Sequence, residues 1–139
     1  MYRAISGAAL LAALLVFTAC ESVKPQSAAR KVATRTDLIG GPSALGEIGD
    51  FLLENDKIRV IIQDKGFSRG FGVYGGSLID ADRVRPTRPG DADGGQGRDV
   101  FGEFFPISFV EVLVPDDVRV HRSGADGGPA VVRVTGYGG

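Results

Sequence analysis

Two residue types that often carry chemistry occur once each in this chain of 139 residues, a cysteine at position 20 and a histidine at position 121. Because zinc is normally held by several thiolate or imidazole ligands, one of each excludes a conventional zinc cluster. A hydrolytic triad would have to use His121 as its base, yet no serine lies in a G-x-S-x-G turn. His121 falls on the polar side of a predicted strand, so we interpret it as solvent-facing.

Three aspartates in a glycine-rich loop are candidate ligands for a hard cation. Residues 94–102 of this loop fit the calcium nonapeptide pattern G-G-x-G-x-D-x-U-x. That motif works as stacked repeats, and one copy is present, so a solvated loop without a cofactor is the default interpretation. The alternative is a single Ca²⁺ bound by oxygen ligands. The candidate ligands are Asp91, Asp93 and Asp99.

Two pairs of neighbouring aspartates are the remaining candidates for acid–base work of the kind that a glycosidase needs. Asp80 and Asp82 share one face near the end of a short predicted strand. Asp116 and Asp117 follow a proline, where turn formation explains both of them. No catalytic residue is therefore assigned. The sequence leaves open whether the chain is an enzyme, and a non-enzymatic function is favoured.

Aromatic residues interleave with glycine over residues 66–76, and the glycine density argues against a helix there. No lysine follows a G-x-x-x-x-G run, so the stretch is not a phosphate-binding loop. By default its aromatic rings cover the edge of the core. The alternative is that they stack on a sugar ring, with an arginine and an aspartate as hydrogen-bonding partners. The candidate ligand-binding residues are Phe67, Arg69, Phe71, Tyr74 and Asp80.

The segment before Cys20 has the three parts of a secretory signal: a basic residue, an apolar run over residues 8–16, and small residues at 18–19. It resembles a bacterial lipoprotein signal, whose lipobox ends in a small residue followed by a cysteine. The resemblance implies that residues 1–19 are removed and that Cys20 is acylated with palmitate-type chains. It also implies attachment to the cell envelope. Glu21, at the position that sorts lipoproteins, favours the outer membrane of a Gram-negative bacterium.

Two other interpretations of the same segment remain open. A transmembrane helix needs about 20 predominantly apolar residues, which is more than this run supplies. An ordinary cleavable signal also fits, with the cut after Ala19. However, it would leave a free reactive thiol in an oxidising compartment, which lipidation would remove.

Removing 19 of the 139 residues leaves 120, enough for one domain with a core. Arg3 is the only charged residue removed, so 15 Lys and Arg face 17 Asp and Glu in the remainder. This near-neutral balance excludes an electrostatic case for a nucleic-acid partner. Residues 20–36 lack apolar periodicity and are predicted to be the lipidated cysteine and a flexible tether, with a short helix over residues 28–33 as the alternative. The β-domain is predicted over residues 37–139.

From position 37 onward the pattern predicts an all-β fold, an antiparallel sandwich or part of a supersandwich. Residues 51–54 and 57–63 flank Asn55-Asp56, which is typical of a hairpin. Further strands are predicted over 77–81, 107–114, 118–122 and 131–135, with a turn at 115–117. The last of these should pair with the first strand of the domain, or else the sequence is the N-terminal piece of a longer protein, which is slightly favoured.

Three stretches together resemble galactose-mutarotase-like supersandwich domains, which occur in many polysaccharide lyases and glycoside hydrolases. They are the strand over residues 51–62, the segment Gly75-Gly76-Ser77-Leu78-Ile79-Asp80, and the run from Gly128-Pro129 through Arg133-Val134 to Gly136. The resemblance rests on strand patterns, and no active-site residue of the family maps onto this chain. It implies a β-supersandwich fold and, by analogy alone, contact with carbohydrate.

Together these features predict a lipid-anchored β-domain of the cell envelope that acts as a non-catalytic binding or structural module. Its expected partners are the membrane, through the anchor, and a glycan or an envelope protein. The contact region is expected in the loop over residues 67–74 and in the loop of the nineties. The competing hypothesis is the non-catalytic N-terminal part of a larger carbohydrate-active or hydrolytic surface enzyme.

Overall fold

Strand-forming residues build seven β-strands in this computed structural model, which describes residues 26–85, 97–98 and 100–139. One sheet has the order β1-β2-β3-β4 and the other β5-β6-β7, and every pairing is antiparallel. The predicted all-β antiparallel architecture is confirmed. The strands are β1 Ser27–Lys31, β2 Phe51–Asn55, β3 Ile58–Ile62, β4 Leu78–Arg83, β5 Ile107–Ser108, β6 Glu111–Arg122 and β7 Val131–Gly138, with a short 3-10 turn at Arg35–Asp37.

The hairpin between β2 and β3 forms at the predicted position. The Asn55 side-chain oxygen accepts the backbone N–H groups of Lys57 at 2.8 Å and Ile58 at 2.9 Å. An asparagine that bonds its own backbone two and three residues onward stabilises a tight turn without help from the rest of the fold. Because these hydrogen bonds are local, the hairpin could be predicted from Asn55-Asp56 and the strands that flank it.

The main core lies on one face of the four-stranded sheet and is covered by residues 32–50. Leu52 and Ile61 are neighbours across β2 and β3, and both are fully buried. The alternating residues Ile58, Val60 and Ile62 of β3 point to the other face, where Ile58 is 45% exposed. Both faces of β3 are therefore apolar. The core cluster is Val32, Ile39, Leu52, Ile61 and Ile79, with Leu38 and Leu45 packed against it.

The predicted flexible tether is wrong over residues 27–31, which form β1, and the helical alternative is wrong there too. Ala29 pairs with Leu53 of β2 and is 5% exposed, and Val32 is 1% exposed. Alanine, arginine and lysine are not typical strand residues, so the sequence carried little signal. The strand forms because β2 offers an edge to pair with, which is a tertiary effect.

The single strand predicted over residues 107–114 is also wrong, because the chain reverses at Phe109 and Val110. Ser108 pairs with Glu111, which leaves a two-residue turn between β5 and β6. The turn predicted at 115–117 is replaced by a bulge in β6, since Pro115 pairs with Gly136 and Asp117 with Thr135. A bulge is one of the few places in a strand where proline is tolerated.

The second sheet contacts the first at several points. The Ala29 N–H donates to the Ser123 carbonyl at 3.0 Å, so the end of β6 lies beside β1. The Lys65 ammonium donates to the Asp116 carbonyl at 3.2 Å. β7 pairs with β6 and not with β2, the first strand predicted for the domain, so the pairing considered from the sequence is wrong.

Candidate functional site: the aromatic loop

Residues 66–76 connect β3 to β4, and we name them the aromatic loop. Its two ends are joined, because the Gly75 N–H donates to the Gly66 carbonyl at 2.8 Å. Gly66 has a φ of 131°, which side chains rarely adopt. A Cβ at Gly75 would lie 1.9 Å from the Asp64 carbonyl oxygen. The loop is therefore closed at its base by glycines that no other residue can replace without rearrangement.

The buried carboxylate of Asp50 fixes the loop to the segment before β2. Asp50 is 1% exposed and accepts the backbone N–H groups of Glu47 at 2.8 Å and Asp64 at 3.0 Å. Its carboxylate also pairs with the guanidinium of Arg69, a residue of the loop. Arg69 donates in addition to the Leu45 carbonyl at 2.9 Å. A buried charge needs such a partner and such bonds, so this pair ties the loop to the segment before β2.

Gln63 forms a second buried anchor at the end of β3. Its side chain is 2% exposed, and its amide nitrogen donates to the Phe67 carbonyl at 2.7 Å. Its amide oxygen accepts the Arg69 backbone N–H at 3.3 Å. The nitrogen and the oxygen of one side-chain amide thus hold the first half of the loop.

Glu103 holds the second half of the loop from outside. Its carboxylate accepts the Gly72 N–H at 2.5 Å and the Ser68 hydroxyl at 3.0 Å. Burial raises the pKa of this carboxyl, but the bonds from Gly72, Ser68, Ser77 and the Phe71 backbone outweigh it, and the pKa lies below its ordinary value. The carboxylate is therefore held ionised, with its acceptor sites occupied by the loop.

The anchored loop presents bare aromatic rings to solvent. Phe67 is 84% and Phe71 91% exposed, and Phe104, which follows Glu103 directly, is 68% exposed. Phe71 and the half-buried Phe105 have ring centroids 6.4 Å apart. The core-edge role expected by default does not hold for Phe67 and Phe71, while Tyr74 is half-buried. We name Phe67, Phe71, Phe104 and Phe105 the aromatic surface.

The two polar residues expected beside the rings are engaged with other parts of the fold. Arg69 bonds within the protein as described, and Asp80 is 1% exposed, opposite Ile61 on the covered face of the sheet. Asp82, two residues further along β4, pairs with the Arg85 guanidinium and accepts the Arg98 N–H at 2.7 Å. Burial raises the pKa of Asp82, but these bonds outweigh it and lower the pKa to about 2. Asp80 is thus interior to the fold, and the half-buried Arg69 has its guanidinium engaged with Asp50 and the Leu45 carbonyl, while Phe67 and Phe71 face solvent.

Other candidate residues fall outside the described part of the chain. Cys20 and the three aspartates expected to hold calcium, Asp91, Asp93 and Asp99, belong to the undescribed ranges. Within the described residues, no three histidine, cysteine, aspartate or glutamate side chains are grouped so that they could hold a metal ion. The same residues contain no helix that is long and apolar enough to span a membrane.

The anchors of the loop were missed by reasoning from the sequence. Glu103 lies 31 residues after Gly72, and nothing in a single sequence joins two positions so far apart. Gln63 is a polar residue at the end of the predicted strand over residues 57–63, and nothing in that position indicates that it is buried. The only available signal was that Gln63 follows directly on the strand formers Ile61 and Ile62.

Comparisons with protein-family models, with curated proteins and with solved structures return no match to this chain. The geometry of the aromatic loop and the N-terminal sequence are therefore the features that bear on function.

Proposed function

We propose that this protein is a lipid-anchored β-domain of the Gram-negative outer membrane that binds a glycan through the aromatic surface and has no catalysis of its own. The observation that carries the proposal is the exposure of Phe67 and Phe71 on a loop fixed by Asp50, Gln63 and Glu103. Exposed apolar surface of this kind marks interaction sites in soluble domains.

Rigidity supports a binding function. A flexible loop would lose conformational entropy when it bound a ligand, and a loop already held by the buried Asp50 and Gln63 and the half-buried Glu103 loses less. Aromatic rings add large contact area at low entropic cost, because each has only two rotatable side-chain bonds. The fold thus supplies a platform that is ordered before any ligand arrives.

The chemistry of the rings favours a sugar as the ligand. A pyranose ring has one face made of C–H groups, which packs against a phenyl ring. The acidic groups that hold the loop, Asp50 and Glu103, have their oxygens occupied by N–H and hydroxyl donors of the loop and its surroundings. They are therefore supports of the platform, and we assign the contact to the rings.

The anchor is the second part of the proposal. Cys20 follows an apolar run and small residues, and acylation there would place hydrocarbon chains seven residues before the start of β1 at Ser27. One acyl chain gives only marginal attachment, whereas the several chains of a lipoprotein anchor hold a protein firmly. The domain would remain close to the bilayer while its aromatic surface contacts glycans of the envelope.

A glycan array tests the binding. We expect the purified protein to bind a subset of immobilised oligosaccharides and the double variant Phe67→Ala/Phe71→Ala to lose that binding. Phe109→Ala is the matched control, because Phe109 is 98% exposed but lies outside the aromatic surface. Absence of binding by the unmodified protein, or equal binding by the double variant, would contradict the proposal.

Metabolic labelling with a palmitate analogue in a Gram-negative host tests the anchor. We expect label on the full chain, found in the outer-membrane fraction, and none on the Cys20→Ala variant. Label that survives this substitution, or an unlabelled chain, would remove the anchor from the proposal and leave the binding test unaffected.

A further inference from the structure

The turn between β5 and β6 carries apolar side chains that project into water. Phe109 is 98% exposed, Val110 is 90% exposed, and Ile107 is 60% exposed. Within residues 107–110 the only polar side chain is that of Ser108. We name residues 107–110 the apolar tip. Patches of this kind on a soluble domain mark contact with a protein or a membrane.

Phe109 occupies a backbone conformation that disfavours it. Its φ is 56°, and it is the only residue other than glycine with a positive φ in the described part of the chain. Two-residue hairpin turns usually place glycine or asparagine at such a position. Strain of this kind tends to persist where function requires it. Here the strained turn places a phenyl ring at the extreme end of the hairpin.

The apolar tip and the N-terminus of the domain lie at opposite ends of the β6–β7 ribbon. The Ala130 N–H donates to the Ser27 hydroxyl at 2.8 Å, which fixes the start of β1 beside the β6–β7 turn. The 12 residues of β6 extend over about 40 Å at 3.3 Å per residue. The seven residues from Cys20 to Ser27 reach at most about 25 Å. A domain anchored at Cys20 can therefore touch the bilayer with both ends when the ribbon lies along the membrane.

From this arrangement we propose that the apolar tip inserts into the boundary between headgroups and acyl chains of an uncharged lipid bilayer, as a second attachment point. The inference rests on the proposed anchor at Cys20, because the anchor holds the tip near the membrane and so raises its effective concentration there. Insertion of two or three side chains is a weak interaction that becomes significant only for a tethered domain.

Two features favour lipid over a groove on another protein. The backbone of the hairpin is paired internally, Ile107 with Val112 and Ser108 with Glu111, so insertion leaves few backbone groups without partners. Protein interfaces surround their apolar centre with a polar rim. Glu111 follows the apolar tip directly and is exposed, and its negative charge favours zwitterionic over anionic lipid.

Tryptophan fluorescence tests the insertion, since the chain contains no tryptophan and only one cysteine. The full chain carrying Phe109→Trp is coupled through Cys20 to a maleimide phospholipid in phosphatidylcholine vesicles. We expect its emission to move to shorter wavelengths and to be quenched by brominated lipid. Val110→Trp is the second reporter and should behave in the same way.

Phe67→Trp is the matched control, because Phe67 is 84% exposed on the aromatic surface and should keep the emission of an indole in water. Emission from both tip reporters that is unchanged by vesicles and unquenched would overturn the proposal, and so would equal quenching of the Phe67 reporter. Coupling through the thiol makes the result independent of natural acylation. Failure of the anchor itself would appear only in the palmitate labelling.

Discussion

The carboxylate of Glu103 accepts the backbone N–H of Gly72 at 2.5 Å and thereby fixes the far half of the aromatic loop. Replacing Glu103 with alanine would leave that N–H and the Ser68 hydroxyl without their acceptor. Both donors are half-buried, so water can partly replace the lost acceptor and the cost is about 1 kcal/mol, the low end of the range for a buried donor. We expect Glu103→Ala to lower the free energy of unfolding in urea by this amount and to speed hydrogen exchange at the Gly72 amide.

The control for this substitution is Glu111→Ala, which removes an exposed carboxylate on the other sheet. It should leave the Gly72 amide protected. If the Gly72 amide exchanges its hydrogen at the same rate in Glu103→Ala as in Glu111→Ala, Glu103 does not hold the loop.

Arg69 and Asp50 form the other support, and their burial is unequal. The Asp50 side chain is 2% and the Arg69 side chain 28% exposed, so loss of the arginine strands a buried charge. Breaking a buried pair in this way typically costs about 3–5 kcal/mol. We expect Arg69→Met to destabilise strongly and the same change in an Asp50→Asn background to cost clearly less.

Arg119→Met is the comparison, since Arg119 pairs with Asp117 but is 56% exposed. An exposed pair contributes about 0–1 kcal/mol. Equal costs for Arg69→Met and Arg119→Met, measured by urea unfolding, would show that the Asp50 pair is no more than a surface interaction.

The side chains that fix the aromatic loop could not be predicted from the sequence, whereas the turn between β2 and β3 could. The Asn55 turn could be predicted because its bonds reach only two and three residues onward. Asp50 and Glu103 could not be assigned, because their partners Arg69 and Gly72 lie 19 and 31 residues away and are brought to them by the fold. The partners of Gln63 are local, but its burial depends on the fold as well. The rings of Phe67 and Phe71 were found as candidates from glycine spacing. Their exposure depends on which neighbours the fold supplies, and periodicity carries no information about that.

Acid should destabilise the fold through Asp82 and Asp37, whose pKa values are lowered to about 2. The folded chain then binds fewer protons than the unfolded chain between that value and the ordinary 3.8. Stability is therefore complete above about pH 4 and declines as the pH falls toward 2. We expect the thermal midpoint of Asp82→Asn to fall less over this range than that of the unmodified protein.

The control for the acid effect is Asp56→Asn, which changes a carboxylate that is 75% exposed in the turn between β2 and β3. Its thermal midpoint should follow the unmodified protein through the same pH range. If the thermal midpoint of Asp82→Asn falls with pH as steeply as that of Asp56→Asn, Asp82 does not contribute to the acid destabilisation.

Phe109 provides a test of strain in the β5–β6 turn. Its ring is 98% exposed, so replacement by glycine loses almost no packing, while the φ of 56° becomes favourable. Relief of about 1–3 kcal/mol of strain exceeds the entropic cost of a glycine, about 0.5–1 kcal/mol. We expect Phe109→Gly to raise the thermal midpoint. A lower midpoint than that of Phe109→Ala would contradict the strained turn.

This turn also explains the error in predicting a single strand over residues 107–114. The chain reverses at Phe109-Val110, a pair that normally extends a strand, and no glycine, asparagine or proline marks the reversal. The missed strand β1 has the opposite cause. Its residues have weak strand propensity and pair only because an edge of β2 is free. In both places the tertiary fold overrides the local preference of the residues.

The central proposal is that the aromatic loop binds the ligand. The direct measurement is nuclear magnetic resonance of the ¹⁵N-labelled protein, titrated with the oligosaccharide that binds best on the array. We expect the amide signals of Gly66, Gly70 and Gly72 to shift with added sugar, while those of Gly127 and Gly128 in the β6–β7 turn stay fixed. Shifts confined to that turn, or no shifts at saturating sugar, would contradict the account.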